Sequence, residues 1–383
     1  MNQRNRLLST FLVALASGGT AFAGDAKQVV DTMVEADKAS ICDVFDYATL
    51  YENKENPILQ KFALSGRLQA DAAFFDGGDK DFEELTWRRF RSGFKAKILN
   101  SFTLHSEGEF DLNEGDPFYE RLTDTYLAWE VNDELEFKFG KQSAPFTMDG
   151  ATSSKELIRP ERSVLAENLW FPTEYFTGVA AKGKMDKWVY TVGYFSSDGG
   201  NEFGDFEAGF FGLVSIGYDF GETFGLDKAL IRADYVNNDI DDGGNVGTRS
   251  LSQVGSLNGT FEKGPWGLRT DIAAGEGHGH QSDVFALAIM PYYNITEKVQ
   301  LVASYNYVSS SAANGVRLDR YENRTVSGRV DEVHEFFAGV NYYVCGHKLK
   351  WQNGVEYTTA SDVANDGGAY DGWGFTSAIR LSW

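Results

Sequence analysis

From residue 61 onward, apolar and polar residues alternate along the chain with a period of two. In "FALSGRLQADAAF" (62–74), Phe62, Leu64, Leu68, Ala70, Ala72 and Phe74 share one face, and Ser65, Arg67, Gln69 and Asp71 share the other. "LEFKFGK" (135–141) sets Leu135, Phe137 and Phe139 against Glu136, Lys138 and Gly140. "VQLVASYNY" (299–307) sets Val299, Leu301, Ala303, Tyr305 and Tyr307 against Gln300, Ser304 and Asn306. This spacing predicts β-strands with one apolar face. Sixteen are expected, beginning near 62, 87, 101, 122, 134, 175, 186, 209, 228, 250, 265, 282, 297, 331, 347 and 371.

The connections between these strands alternate between short and long. Short ones lie near "ILNS" (98–101), "VNDE" (131–134), "GKMDK" (183–187), "EKGPWG" (262–267), "NITEK" (294–298) and "VCGH" (344–347). Long ones include 75–84, 141–174, 237–250 and 309–332. Turns on one edge and long loops on the other are the organisation of a closed barrel whose outer face meets hydrocarbon. A soluble β-sandwich has no reason to keep that rhythm over sixteen strands. The final strand, "WGFTSAIRLSW", places Trp373, Phe375, Ile379, Leu381 and Trp383 on the apolar face. Beyond the N-terminus no run approaches the roughly 18 apolar residues that a membrane helix needs. The fold expected is therefore all-β: a 16-stranded antiparallel transmembrane β-barrel with long extracellular loops and short periplasmic turns. An even strand number puts both termini in the periplasm, and sixteen strands leave an aqueous lumen.

The N-terminus supports export. "MNQRNR" is basic, "LLSTFLVALASGGT" is apolar, and "AFA" has the small-x-small form of a cleavage site. The chain is accordingly divided into a signal peptide (1–23), an N-terminal periplasmic segment (24–60) and a barrel (61–383), located in the cell outer membrane. Val29, Val30, Met33 and Val34 crowd one side of a short helix expected within 27–55.

Composition agrees with a sheet rich in turns: 41 glycines, 29 phenylalanines and 18 tyrosines beside seven prolines. The net charge of −21 argues against a nucleic-acid partner, which needs a basic face. Loops such as "NDIDDGG" and "DGGNEFGD" would make the outer mouth repel anions. Within this acidic chain, "WRRFRSGFKAKI" (87–98) stands apart. Phe90 and Phe94 take the lipid-facing parity, so Arg89, Arg91, Lys95 and Lys97 are expected to line the lumen. At ~3.3 Å per residue they form a ladder about 20 Å long. Arg88 falls on the outward parity near the strand's edge, where snorkelling to the interface is cheap. Such a ladder attracts anions. It is equally able to pair with Glu107, Glu109 and Asp111 on the neighbouring strand.

Other chemistry is sparse. Cys42 and Cys345 are the two cysteines, and both fall on the periplasmic side, where a disulfide between them is expected. "HGH" (278–280) lacks a further ligand for a metal set, and "DIDDGG" (239–244) lacks the closing Glu of a calcium loop. No nucleophile elbow, phosphate loop or His-Glu-x-x-His is present. No enzyme, cofactor or metal is expected.

"LTWRRFRSGFKAKI" (85–98), "TDTYLAWE" (123–130) and "FKFGKQSAPFTMDGATSSKELIRPERS" (137–163) resemble the phosphate-selective porin O and P family of Gram-negative bacteria. The resemblance implies a sixteen-stranded barrel, usually a homotrimer, with a third extracellular loop folded into the lumen. It implies cations that guide phosphate or polyphosphate: Arg89, Arg91, Lys95 and Lys97 on the second strand, and Lys141, Lys155, Arg159 and Arg162 at the constriction loop. The function expected is passive diffusion of small hydrophilic solutes, with inorganic anions such as phosphate favoured. Three alternatives stay open: a general, cation-selective or sugar-selective porin; a secreted β-rich carbohydrate-binding protein or hydrolase; and a closed barrel whose loops adhere to a surface.

Overall fold

The computed structural model describes residues 40–171, 174–240, 245 and 247–383. The expected signal peptide, the apolar helix side at Val29–Val34 and most of the acidic tip at 241–244 lie outside these residues. A short 3₁₀ helix, Ile41–Ala48, leads into an edge strand β1 (Thr49–Glu52). Sixteen long strands follow. They are β2 (Leu59–Asp76), β3 (Phe82–Ile98), β4 (Phe102–Phe110), β5 (Tyr119–Asn132), β6 (Leu135–Ser143), β7 (Tyr175–Met185), β8 (Trp188–Ser196) and β9 (Phe210–Asp219). The second half comprises β10 (Lys228–Asn238), β11 (Leu251–Lys263), β12 (Trp266–Gly277), β13 (Val284–Asn294), β14 (Val299–Ser310), β15 (Glu332–Tyr343), β16 (Leu349–Ser361) and β17 (Tyr370–Ser382).

Each strand pairs antiparallel with its sequence neighbours, and β17 closes the ring on β2 through Ser382↔Arg67 to Trp373↔Asp76. Closure leaves no free edge among the sixteen long strands, which a bilayer requires because lipid offers no hydrogen bonds to unpaired backbone. All sixteen expected strands are present and in order. The loop expected at 75–84 is shorter than anticipated, because β2 and β3 stay paired as far as Phe75↔Phe82.

The outward face carries the alternate apolar side chains. Leu64, Phe74, Phe139, Val192, Ile216, Leu257, Leu301, Val355 and Ile379 are all exposed there. Their intervening neighbours Arg67, Gln69, Asp71, Gln300, Ser304 and Asn306 are buried. A continuous apolar exterior of this extent suits hydrocarbon, not water. Aromatic clusters ring both ends. Phe102, Trp129 and Phe137 stack near the short turns, as do Trp188 with Tyr218 and Trp266 with Tyr293. Tyr194 with Phe210, Phe285 with Tyr307 and Tyr357 with Trp373 mark the loop end. Two such girdles are the signature of a membrane barrel.

At the turn end, Cys42 and Cys345 are joined by a disulfide. It ties the 3₁₀ helix to the β15–β16 turn, while β1 pairs with the start of β2 through Glu52↔Lys61.

The interior is not uniformly polar. Phe176, Phe195, Phe211, Leu213, Val236 and Val254 point inward and are buried in one apolar cluster with Phe146, Leu165, Leu169 and Phe171 of the 144–174 loop. The expectation that inward side chains meet water fails on this side of the barrel. A loop that enters the lumen brings apolar side chains of its own, and these need an apolar wall to cover them.

Candidate pore constriction

The 144–174 loop crosses the lumen and bonds to inward side chains on nearly every side. At its start, the main-chain amide of Met148 donates to Asp271 on β12 at 2.7 Å, and Arg232 on β10 donates to the Thr147 carbonyl at 2.8 Å. Its middle meets β2: Arg67 donates to the Ser154 hydroxyl at 2.6 Å and Gln69 to the Ser154 carbonyl at 3.1 Å. It then runs along the adjoining wall, β15 to β17. Asn341 donates to the Ile158 carbonyl at 2.8 Å, and Arg380 to the Pro160 carbonyl at 2.8 Å. Two short helices, α1 (Met148–Ala151) and α2 (Val164–Leu169), shape the crossing. Gly150 lets the loop fold back on itself, since a Cβ there would stand 2.5 Å from the Trp170 ring. The 311–331 loop also bends inward and docks on α2, where Asn168 and Arg317 exchange side-chain-to-backbone hydrogen bonds of 2.9 and 2.8 Å.

Between these two loops and the β3–β5 wall lies a cavity of about 390 Å³. Eight arginines line it against five carboxylates. Arg88, Arg89, Arg91 and Arg121 come from the wall and Arg162 from the 144–174 loop. Arg249 comes from the loop after β10, and Arg320 and Arg324 from the 311–331 loop. The carboxylates are Glu109, Glu161, Glu167, Glu174 and Asp319. Most of these charges are paired. Arg91 binds Glu109 at 3.1 Å and Glu174 at 3.0 Å, Arg162 reaches Glu174 at 3.3 Å, and Arg249 reaches Glu167 at 2.8 Å. Burial alone would raise the Glu174 carboxyl, but Arg91 and Arg162 hold it well below the usual carboxylate range. Arg89 has no ion-pair partner among the described residues and donates instead to Gln69 at 3.0 Å.

The expected site residues separate into three groups. Arg89, Arg91 and Arg162 meet at the cavity. Lys95, Lys97 and Lys155 belong to the passage nearer the turns. Lys95 is exposed, Lys97 pairs with Glu130, and Lys155 lies 3.4 Å from the main-chain oxygen of Trp383. Arg159 and Lys141 do not fit the expectation. Arg159 is sealed against the wall by Glu335 and Glu356 and lies over the Phe337 ring, 3% exposed. Lys141 shares the outward parity of Phe139. It donates to the carbonyls of Gly200, Asn201 and Glu202, so the β8–β9 loop caps it on the outer surface. Lys141 holds that loop in place and does not line the pore.

Arg88 is a further correction. Gln69 pairs with Arg89 and Ala70 with Trp87, so Arg88 is the extra residue of a bulge. The bulge turns Arg88 inward onto Glu161, 12–14% exposed as a pair, and leaves Trp87 to face lipid. Arg121, Arg249, Arg320 and Arg324 were not anticipated. The one available hint was the density of arginines at 317, 320, 324 and 329 in an acidic chain.

Burial and the neighbouring Arg67 push the Lys155 ammonium down to about 8. Its charge is then lost as pH rises through that value. The ratio of anion to cation permeability is expected to fall between pH 7 and pH 9, and Lys155→Gln to flatten that decline. Reversal potentials measured across the range check both.

A match to the family described as phosphate-selective porin O and P covers residues 62–212, from β2 to the start of β9. Residues 62–212 belong to that family. This segment of the porin contains the β3 cations and the whole 144–174 loop. The barrel also superimposes on solved porins. An OmpF of Salmonella typhi is 14% identical, with a TM-score of 0.61 over 88% of this chain and all of that one. An anion-selective porin from Comamonas acidovorans is 11% identical, with a TM-score of 0.58 over 84% of this chain and 99% of that one. An uncharacterised protein of Aquifex aeolicus is 23% identical over 69% of this chain and 70% of its own length. At these identities the structural likenesses speak for the fold. Together with the family match they place this porin in the outer membrane as a channel, with the short turns periplasmic and the long loops extracellular.

Proposed function

We propose that the porin favours small inorganic anions, phosphate among them, and that its selectivity is set at the arginine cavity. The observation that carries this reading is the charge imbalance there, eight guanidiniums against five carboxylates in a confined space. Confinement matters because a charge lining a narrow passage acts on an ion at a few ångströms. Charges on the rim act through saline, where screening sets in within about 8 Å. Some rim acidity is also spent locally: the Asp362 carboxylate accepts hydrogen bonds from the backbone amides of Asn365, Asp366, Gly367 and Gly368. Phosphate suits the site because guanidinium forks match its oxygens. The family's description and the anion-selective porin of similar fold lend support. No covalent step is involved, and assembly as a homotrimer in outer-membrane lipid is carried over from the family resemblance.

The test is competition. Phosphate added to a chloride solution is expected to reduce single-channel chloride current in a saturable way, and Arg89→Gln to weaken that block. Chloride current unaffected by phosphate would reject the phosphate assignment.

A further inference from the structure

Behind the arginine cavity, the 311–331 loop reaches the barrel wall through acidic side chains. One carboxylate oxygen from each of Glu322, Glu335 and Glu356 lies within 4.8 Å of the others. Oxygens bound at 2.3–2.6 Å to one calcium ion stand at most about 5 Å apart, so this spread suits a shared ion. The three come from separate elements: Glu322 from the 3₁₀ turn Glu322–Arg324, Glu335 from β15 and Glu356 from β16. A small cavity of about 10 Å³ adjoins them, lined in part by Asp319, Glu322 and Glu356. That is about the space one water or one ion needs.

Two further observations point to a ligand. Glu335 is 1% exposed. Its Oε1 accepts from Arg159 and Asn306, while its Oε2 has no hydrogen-bond partner among the described residues. The charges also fail to balance. Asp319, Glu322, Glu335 and Glu356 face two guanidiniums, Arg159 and Arg320, which leaves two buried negative charges. Buried charge left uncompensated is strongly disfavoured, and one dication cancels it.

We infer that Glu322, Glu335 and Glu356 form a site for one hard divalent cation, calcium foremost, that clips the 311–331 loop to β15 and β16. Asp319, Glu161, the Arg159 and Arg320 guanidiniums and the Thr358 hydroxyl, which donates to Glu322 at 3.2 Å, make up the polar groups around it. The rival arrangement is two acids sharing protons, with no metal.

Terbium tests the site on the full-length protein in detergent, because Tyr321 lines the adjoining cavity and can sensitise a bound lanthanide. Saturable terbium luminescence is expected, displaced by calcium, and reduced at least tenfold in Glu322→Gln and in Glu356→Gln. Calcium is expected to raise the temperature at which the wild-type barrel unfolds on gels, and EDTA to lower it. Unchanged luminescence in both variants would overturn the assignment. So would variants as stable as the wild type in EDTA together with a wild type indifferent to calcium, since proton sharing predicts that result. The calcium titration of the unmodified protein keeps the test valid if either variant folds poorly.

Discussion

Arg89→Glu combined with Arg324→Glu is expected to reverse the ion preference of the channel. Both side chains line the arginine cavity, and the double change turns eight cations against five anions into six against seven. A unit charge about 7 Å from a permeating ion is worth about 0.6 kcal/mol in water-like dielectric. Four units of altered charge therefore shift the energy of an ion by about 2 kcal/mol, and that of its counterion by the same amount in the other direction. The permeability ratio should move by well over tenfold. Arg89 forms no ion pair among the described residues and donates to the neutral Gln69, so its replacement leaves no salt-bridge partner behind. Arg324 is about two-fifths exposed and pairs with Glu84 near the mouth. Reversal potentials of the purified double variant check the sign. An unchanged ratio would move selectivity away from the cavity.

The largest structural effect is expected from Arg91→Met. Arg91 is almost wholly buried and holds Glu109, Glu174 and the Tyr175 hydroxyl together. Removing one partner of a buried ionic cluster costs about 3–5 kcal/mol, because the remaining charges lose their compensation. The cost here should fall at the lower end, since Glu109 keeps Arg121 and Glu174 keeps Arg162. The pH dependence has a definite sign. Glu174 titrates well below its ordinary 4.5, so it contributes stability above that value and withdraws it as pH falls below. In the variant that acid-labile contribution shrinks. Heat-modifiable gel migration at pH 7 and pH 4 is expected to show a large gap between wild type and variant at pH 7 and a smaller one at pH 4.

The strands were legible because lipid enforces their pattern. A residue at every second position must be apolar, so Leu64, Phe139, Leu301 and Phe375 announce their faces whatever surrounds them in space. The lumen was less legible because no comparable rule governs it. Phe176, Phe195 and Phe211 share the inward parity, yet the loop they cover lies elsewhere in the sequence. Arg88 was misplaced because a single-residue bulge shifts the parity upstream of it, and periodicity does not register one extra residue. Lys141 is the opposite case. Its parity with Phe137 and Phe139 already put it outside, and the motif resemblance alone drew it into the pore. Arg249, Arg320 and Arg324 converge on the β3 and β5 wall only through the folding of long loops, which local pattern does not encode.

The ladder on β3 also changes character in three dimensions. Its upper half, Arg89 and Arg91, joins the cavity. Its lower half, Lys95 and Lys97, faces the periplasmic vestibule. Pairing across the wall and attraction of anions, the two roles open from the sequence, are divided among its members. Arg91 serves the wall through Glu109. Arg89 and Lys95 have no ion-pair partners among the described residues, and on the proposed function these are the members that act on ions.

The most direct measurement is the reversal potential of the unmodified porin in a planar bilayer under a potassium chloride gradient at neutral pH. A potential of the sign set by chloride is the predicted result. A potential set by potassium would contradict the account, because it would mean that the acidic loops, not the arginines behind them, govern which ions pass.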